Sequence, residues 1–344
     1  VKGRDGYEAL ATGAWNPPSQ SLITIRVPAS TSNLGSGFDA LGLALQLYLT
    51  VHLDWTEQPY GSFVFEGEGA EALREVSEDN LIFRAMRYAA AAEGVELKPA
   101  RILVQNDIPL ARGLGSSGAA IIAGISVFEL VSGTLLPPDK MLAYATQIEG
   151  HSDNISAALL GSFVVSCVTA EAGILAQRLE WPERIQAIVV IPNLKVRTEE
   201  ARGVLPDQVS YRDAVFNIQR ASLMVASVAT GRLDLIREAM RDRLHQPYRA
   251  KLVPGLDRII EMDSQELAGL PGYLGIALSG SGPTVIALAT GDFDHIASAI
   301  KDRFQDNGVE SRHLLLPIDG VGRIIEEFEE DGEAEEDEEF GEDE

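Results

Sequence analysis

Apolar residues fall in short blocks whose spacing switches between two residues and about 3.6, so strands and helices alternate along the chain. Residues 22–30 (LITIRVPAS) predict a β-rich strand entering a polar loop. Residues 41–55 continue as a long apolar, partly β-branched segment whose first half fits helix or strand. An acidic, Ser-led start, apolar spacing at Leu81, Ala85 and Tyr88, and a Gly stop after an alanine run predict a helix over 77–94. Residues 100–109 predict a strand and 118–133 an apolar helix ending in Ser-Gly, with a glycine-rich loop between them. Helices are expected over 141–150 and 154–161, then a strand over 163–168.

Past Pro182, the run 185–193 opens a second unit. It holds helices over 211–229, 232–245 and near 254–268, strands at 275–280 and 284–289, a helix through 293–306 and an apolar segment at 311–317. Mixed elements in both halves predict α+β or α/β, with domains over 21–182 and 183–325.

Composition refines this picture at the ends. Residues 1–20 are polar and lack periodicity, which predicts a flexible leader. Residues 326–344 hold fourteen Asp or Glu and no Lys or Arg, which predicts a disordered acidic tail. The formal charge of −24 is therefore mostly terminal, because residues 1–325 carry 38 acids against 28 bases, or −10. No basic surface is left for nucleic acid and no juxtamembrane basic cluster for lipid, so small molecules are the expected partners. The single cysteine, Cys167, cannot form an internal disulfide and is expected to be a small buried hydrophobe in an apolar run. With no secretory or transmembrane pattern, a cytoplasmic location is expected.

Candidate chemistry centres on PLARGLGSSGAA (109–120), where Gly113-x-Gly115-x-x-Gly118 formally matches the dinucleotide fingerprint. That fold needs the glycines straight after the strand and an acid closing the next strand about twenty residues on. Here the segment from Ile108 to Arg112 intervenes, and the acid at that distance, Asp139, sits in a Pro-Pro-Asp turn. A Walker A loop also fails, because no Gly-Lys-Ser/Thr follows. What remains is a glycine-serine loop feeding a helix whose first turn is Ser117, Gly118, Ala119 and Ala120. Backbone N–H groups and the helix dipole there suit phosphate oxygens, and the hydroxyls of Ser116 and Ser117 add a metal or phosphate contact. A tight turn capped by serines would use the same residues. SGSGPT (279–284) is a second small-residue loop between strand-like runs, and an ordinary strand turn would explain it nearly as well.

Together with VPASTSNLGSGFDALGLAL (27–45), these loops resemble the three signature motifs of the GHMP kinase superfamily, in the same order. Asn33-Leu34-Gly35 followed by Gly37-Phe38-Asp39 is similar to the first motif of its homoserine kinase branch, with Ser36 where that branch usually has proline. HSDNISAALLGSF (151–163) and HQPYRAKLVPG (245–255) are similar to the branch's His-x-Asp-Asn and Pro-Tyr-Arg elements. The resemblance covers residues 22–320. It implies a two-domain α+β GHMP kinase fold, with an N-terminal nucleotide-loop domain, a C-terminal ferredoxin-like domain and the active site between them. The implied activity is ATP-dependent phosphorylation of the L-homoserine side-chain hydroxyl to O-phospho-L-homoserine, in threonine biosynthesis, with ATP and Mg2+ as cofactors. A homodimer is compatible with it.

Carried over by position, the resemblance assigns Asn80, Pro109, Leu110, Ala111, Arg112, Gly113, Leu114, Gly115, Ser116, Ser117 and Gly118 to the nucleotide. It assigns Ser117 and Glu149 to magnesium, and Asn33, Asp39, His151, Asn154, Thr198, Arg202 and Arg249 to the acceptor, with Asn154, Ser117 and Asn33 nearest the chemistry. The residue types suit an amino-acid zwitterion: Asp39 for the ammonium, Arg202 and Arg249 for the carboxylate. Taken singly, each has a plainer reading, Asp39 as a cap, His151 as a turn residue and the arginines as surface charges. Asn154 stands where related kinases such as mevalonate kinase present a basic aspartate, so catalysis is expected to rest on positioning and charge stabilisation. A GHMP kinase for another hydroxylated metabolite is the alternative, and a silent nucleotide or metabolite sensor a second.

Overall fold

The structure, a computed structural model, describes residues 21–55, 63–71, 80–98, 100–170 and 173–329. The expected leader and residues 330–344 of the expected tail lie outside the described residues.

The first sheet grows from a long hairpin. Strand β1 (Ser21–Asn33) and strand β2 (Gly37–Trp55) pair antiparallel, which settles the ambiguous half of 41–55 as strand. Their register slips at Pro28/Ala29. Pro28 has no N–H to give the ladder, and opposite it β2 bulges at Gln46 and Leu47. The bulge divides the work of β2: Leu49–Trp55 pairs with β4 (Ala100–Asn106), and Leu41–Leu43 with β5 (Phe163–Thr169). β3 (Phe63–Gly67) joins β4 in parallel, and β6 (Gly173–Leu179) joins β5. The described helices of this half include α1 (Leu81–Glu93), α2 (Ser116–Ser132), α3 (Pro138–Glu149) and α4 (Asp153–Leu160). Helix α2 is largely apolar and, apart from partly buried Ala120, buried from Gly118 to Val131, and it packs on β1 and β2.

The second sheet starts at β7 (Gln186–Pro192) and continues with β8 (Tyr273–Leu278), β9 (Val285–Ala289) and β10 (Ser311–Leu316). Its strand order is β10-β7-β9-β8, antiparallel throughout. With α5 (Thr198–Gly203) and α6 (Tyr211–Thr230) between β7 and β8, and a long helix (Phe293–Asp306) between β9 and β10, this is the ferredoxin-like arrangement. The unbroken apolar run of β7 has a direct cause. Ala187, Val189 and Ile191 face the core shared with the first sheet, while Ile188 and Val190 face a second core under the long helix.

Four sequence expectations are corrected. The helix predicted over 77–94 begins at Leu81, because Asn80 is its N-cap and accepts from Phe83 N–H; residues 77–79 lie outside the described residues. The helix predicted over 232–245 is broken into a short turn, a one-turn α7 (Ile236–Ala239) and an irregular bend. Asp242 captures the N–H groups of Leu244, His245 and Gln246, competing with helix. Cys167 is exposed, because β2 pairs only with Phe163–Val165 and the rest of the β5–β6 hairpin runs on beyond the sheet. Finally, Glu326–Glu329 is no loose tail: β11 (Ile324–Glu329) pairs with β1, returning the chain to the first sheet.

Candidate active site

Three turns meet between the two sheets. Asn33, Leu34 and Gly35 all adopt positive φ, and a Cβ on Gly35 would stand 1.7 Å from Met240 O, so the turn is pressed against the second half of the chain. The glycine loop before α2 contacts the 279–284 loop: Ser279 Oγ donates to Gly113 O at 2.6 Å, and Gly280 N–H to Ser32 O at 3.2 Å. A side chain at Gly113 would meet Ser279 O at 2.2 Å. Small residues in these motifs therefore serve the close approach of three loops as well as any ligand.

The cleft they frame has a volume of about 250 Å3. Its walls include Asn33, Asp39, Ala111, Arg112, Gly113, Gly115, Ser116, Ser117, Glu149, His151, Asn154, Thr198, Arg202 and Arg249, so most of the sequence-predicted site is brought together. Others are not. Asn80 caps α1, and Leu114 is buried behind the loop with its carbonyl accepting from Ser30 N–H at 3.1 Å. Gly118 packs against Asn154. Pro109 and Leu110 line a neighbouring cleft of about 480 Å3, which meets the first at Arg112.

At one end of the cleft α2 begins. Its N-cap, Gly115, offers no side-chain cap, so first-turn N–H groups face the cleft beside the Ser116 and Ser117 hydroxyls. Ser117 Oγ donates to Glu149 Oε1 across the end of α3. Asn154 is held on both sides of its amide, Oδ1 accepting from Ser30 Oγ at 3.0 Å and Nδ2 donating to Ser32 Oγ at 3.1 Å, which leaves a second N–H free for a ligand.

His151 stands over this end, its Nδ1 2.6 Å from Asp153 Oδ1 and its Nε2 3.6 Å from Glu149 Oε1. Burial alone would lower His151, but the Asp153 hydrogen bond and the two carboxylate charges hold it above the ordinary histidine value. Burial would likewise raise Asp153, and His151 with the Asn154 N–H holds it below the ordinary carboxylate value.

At the other end, Arg202 forms a two-bond ion pair with Asp39. Arg249 is buried, with Nε donating to Ala201 O at 3.2 Å and Nη1 to Gly280 O at 2.9 Å. Sequence reasoning missed Asp153, although it lies in the quoted His-x-Asp-Asn segment, and it missed Ser32, Arg197 and Glu199 on the walls. Solvent-facing charges such as Arg197 and Glu199 carry no periodic or motif signal that would single them out.

Residues 80–162 match the family described as GHMP kinases N terminal domain, and residues 224–306 that described as GHMP kinases C terminal. The homoserine kinase of Persephonella marina is 38% identical over 305 residues, 89% of this chain and 98% of the relative. That of Aquifex aeolicus is 41% identical over 302 residues, 88% of this chain and 98% of the relative. Among solved structures, the homoserine kinase of Cytophaga hutchinsonii superposes with a TM-score of 0.78 at 26% identity, covering 91% of this chain and all of the other. The chain belongs to the homoserine kinase family of the GHMP kinases.

Proposed function

We propose that the protein transfers the γ-phosphoryl group of ATP to the side-chain hydroxyl of L-homoserine, giving O-phospho-L-homoserine and ADP. One observation carries this reading: a phosphate-suited helix N-terminus and the Asp39, Arg202 and Arg249 charges share a single cleft. The ammonium is taken by Asp39. The carboxylate is taken by Arg202 and Arg249, whose cationic character suits it.

Magnesium fits the residues present. Ser117 and Glu149 bring a hydroxyl and a carboxylate together at the start of α2, hard oxygen donors of the kind Mg2+ takes. An ion held by these two groups would take its remaining ligands from substrate phosphates and water. When bound, the ion neutralises charge on the phosphates.

The chain's own residues then have separate tasks. First-turn N–H groups of α2 receive the transferring phosphoryl charge. Asn154, held by Ser30 and Ser32, orients the acceptor without accepting a proton, and Asn33 fixes the turn that carries Asp39 by accepting Asp39 N–H at 3.0 Å. His151, held above the ordinary histidine value by Asp153 and Glu149, adds a donor beside the phosphates that keeps its charge to higher pH than a free imidazole. The hydroxyl proton leaves to a phosphate oxygen or water as the new O–P bond forms and the bond to the ADP oxygen breaks.

Among the described residues no helix is long and apolar enough to cross a membrane. We take the protein to act in the cytoplasm, where ATP is available. The test is a coupled ADP-release assay with L-homoserine, L-serine, L-threonine and mevalonate in parallel. L-homoserine is expected to give the highest kcat/KM; preference for mevalonate would overturn the reading.

A further inference from the structure

Behind the acceptor end of the cleft lies His245, which no motif reading assigned a role. It is fully buried, at 0% exposure, in the irregular bend between α7 and α8 (Gln246–Arg249). Its Nε2 lies 2.8 Å from Gly35 O, and its Nδ1 lies 3.3 Å from Arg249 Nη1. A carbonyl can only accept and a guanidinium can only donate, so Nε2 carries the proton and Nδ1 the lone pair. Asp242 Oδ2 stands farther from the ring, 3.7 Å from Nε2 against 2.8 Å for Gly35 O, and the two Asp242 oxygens accept from Asn217 Nδ2 and from the N–H groups of Leu244, His245 and Gln246.

The two bonds of His245 complete a closed circuit through the site. Gly280 O accepts from both Asn33 Nδ2 and Arg249 Nη1, each at 2.9 Å. Arg249 Nη1 also reaches His245, and His245 returns to Gly35, two residues from Asn33. Phe38 stacks on the imidazole with ring centres 5.3 Å apart, and the Arg249 guanidinium lies over the Phe38 ring at 5.3 Å. The ring so held governs the two groups proposed to meet the amino acid's charged end, the Arg249 fork and the turn leading to Asp39.

We propose that His245 is the positioning residue of the acceptor pocket, an Nε2–H imidazole that orients the Arg249 guanidinium and anchors the Asn33–Gly35 turn at once. This rests on the acceptor reading given above. Burial pushes the His245 pKa below its ordinary value and the Arg249 charge adds to that, against the pull of Asp242 and Asp39. The same neutral ring that the hydrogen bonds require is therefore the one the surroundings favour. Two separate elements share one small group, so its loss should fall on acceptor binding and leave the nucleotide end alone.

The experiment compares His245→Gln with His245→Asn in the full chain. A glutamine amide substitutes for Nε2 and loses the acceptor towards Arg249, whereas an asparagine oxygen stands closer to the position of Nδ1. His245→Gln is expected to raise KM for L-homoserine by about tenfold or more, with kcat and KM for ATP nearly unchanged, as for other groups that orient a binding residue. His245→Asn keeps an acceptor towards Arg249 but loses the donor to Gly35, so it is expected to raise KM for L-homoserine as well, and His245→Ala, which loses both, by more than either. A ring-nitrogen NMR measurement on the wild type tests the same point without any variant: at neutral pH it should show Nε2 protonated and Nδ1 bare. Protonation at Nδ1, an unchanged KM for L-homoserine in His245→Asn, or a parallel rise in KM for ATP would each overturn the proposal. Absence of L-homoserine turnover in the wild type would instead sink the acceptor reading, whereas turnover with an unchanged KM in His245→Gln would sink this inference alone.

Discussion

Asp39 and Arg202 hold each other across the cleft, with Nη1 and Nη2 of the arginine each 2.9 Å from a different carboxylate oxygen. Asp39 sits at positive φ near the start of β2, and Arg202 lies in the last turn of α5. Each side chain is 37% exposed, so the pair adds little to stability, about 1 kcal/mol at most. Its consequence is for selection. A zwitterion can replace both halves of the pair, giving its ammonium to Asp39 and its carboxylate to Arg202. A ligand with one charge can replace only one half, and strands the other.

Analogues with a single charge should therefore be poor substrates. Both 3-aminopropan-1-ol and 4-hydroxybutanoate are expected to fall below L-homoserine by about thirtyfold or more in kcat/KM, the cost of one lost partner in a desolvated charged contact. Asp39→Asn should lower kcat/KM for L-homoserine by a similar factor while the melting temperature moves little. Equal turnover of 4-hydroxybutanoate and L-homoserine would show that Asp39 does not meet the ammonium.

Ser117→Ala should cut turnover by at least about tenfold with the fold intact, since it removes one hydroxyl where phosphate and metal are proposed to meet. The Ser117 hydroxyl bonds to Glu149 and caps no backbone group, so little stability depends on it. The check is a magnesium titration of turnover beside a thermal melt. A variant with wild-type magnesium dependence would remove Ser117 from the proposed role.

How much of this was legible in the sequence depended on whether the signal was local. The apolar run of β7 and the Asn-Leu-Gly turn carry their own patterns: the first is a strand of the second sheet, and Asn33 of the second lines the cleft. The first half of 41–55 is ambiguous because a strand covered on both faces and an apolar helix look alike until the partner strands are known. The 232–245 helix failed because one side chain, Asp242, outweighs the propensity of its neighbours through contacts that spacing does not show. Cys167 misled for a related reason, since an apolar run predicts a strand but not how far its partner reaches. Arg249 and His245 carry pattern only as part of a motif. The circuit that the histidine closes joins His245 to Gly35 across 210 residues and Arg249 to Gly280 across 31, separations that no local pattern spans.

The C-terminal boundary yields a prediction of its own. β11 is an edge strand paired with β1 over Ile324–Glu329, and Arg323 just before it forms a buried ion pair with Glu129 of α2. Truncation after Glu329 removes eleven acids and is expected to leave activity and melting temperature nearly unchanged, since so charged a segment buries little apolar surface. Truncation after Pro317 removes the pairing and the Glu129 partner together. It should destabilise by about 3 kcal/mol or more, the usual cost of leaving a buried charge uncompensated. Denaturant melts of the two truncations, run side by side, decide it: equal midpoints would mean that β11 contributes nothing to the body.

Stability should also respond to pH through His151 and Asp153, whose contact is 2.6 Å long and whose side chains are 11% and 2% exposed. The folded state raises the histidine above its ordinary value, so its contribution is complete below about 6.5 and is lost as pH rises through the raised value. The folded state lowers the aspartic acid, so its contribution is complete above about 3.9 and is lost as pH falls through the lowered value. The pair is thus expected to stabilise most between those two ordinary values, with a decline on either side. His151→Asn should flatten the alkaline side of this profile specifically, because the remaining Asp153 no longer has a titrating partner above pH 6.5. The measurement is the denaturant midpoint from about pH 5 to pH 9 for wild type and variant. If the two profiles stay parallel across that range, His151 is not charged by its carboxylate neighbours in the folded protein, and its proposed role as a charged donor beside the phosphates goes with it.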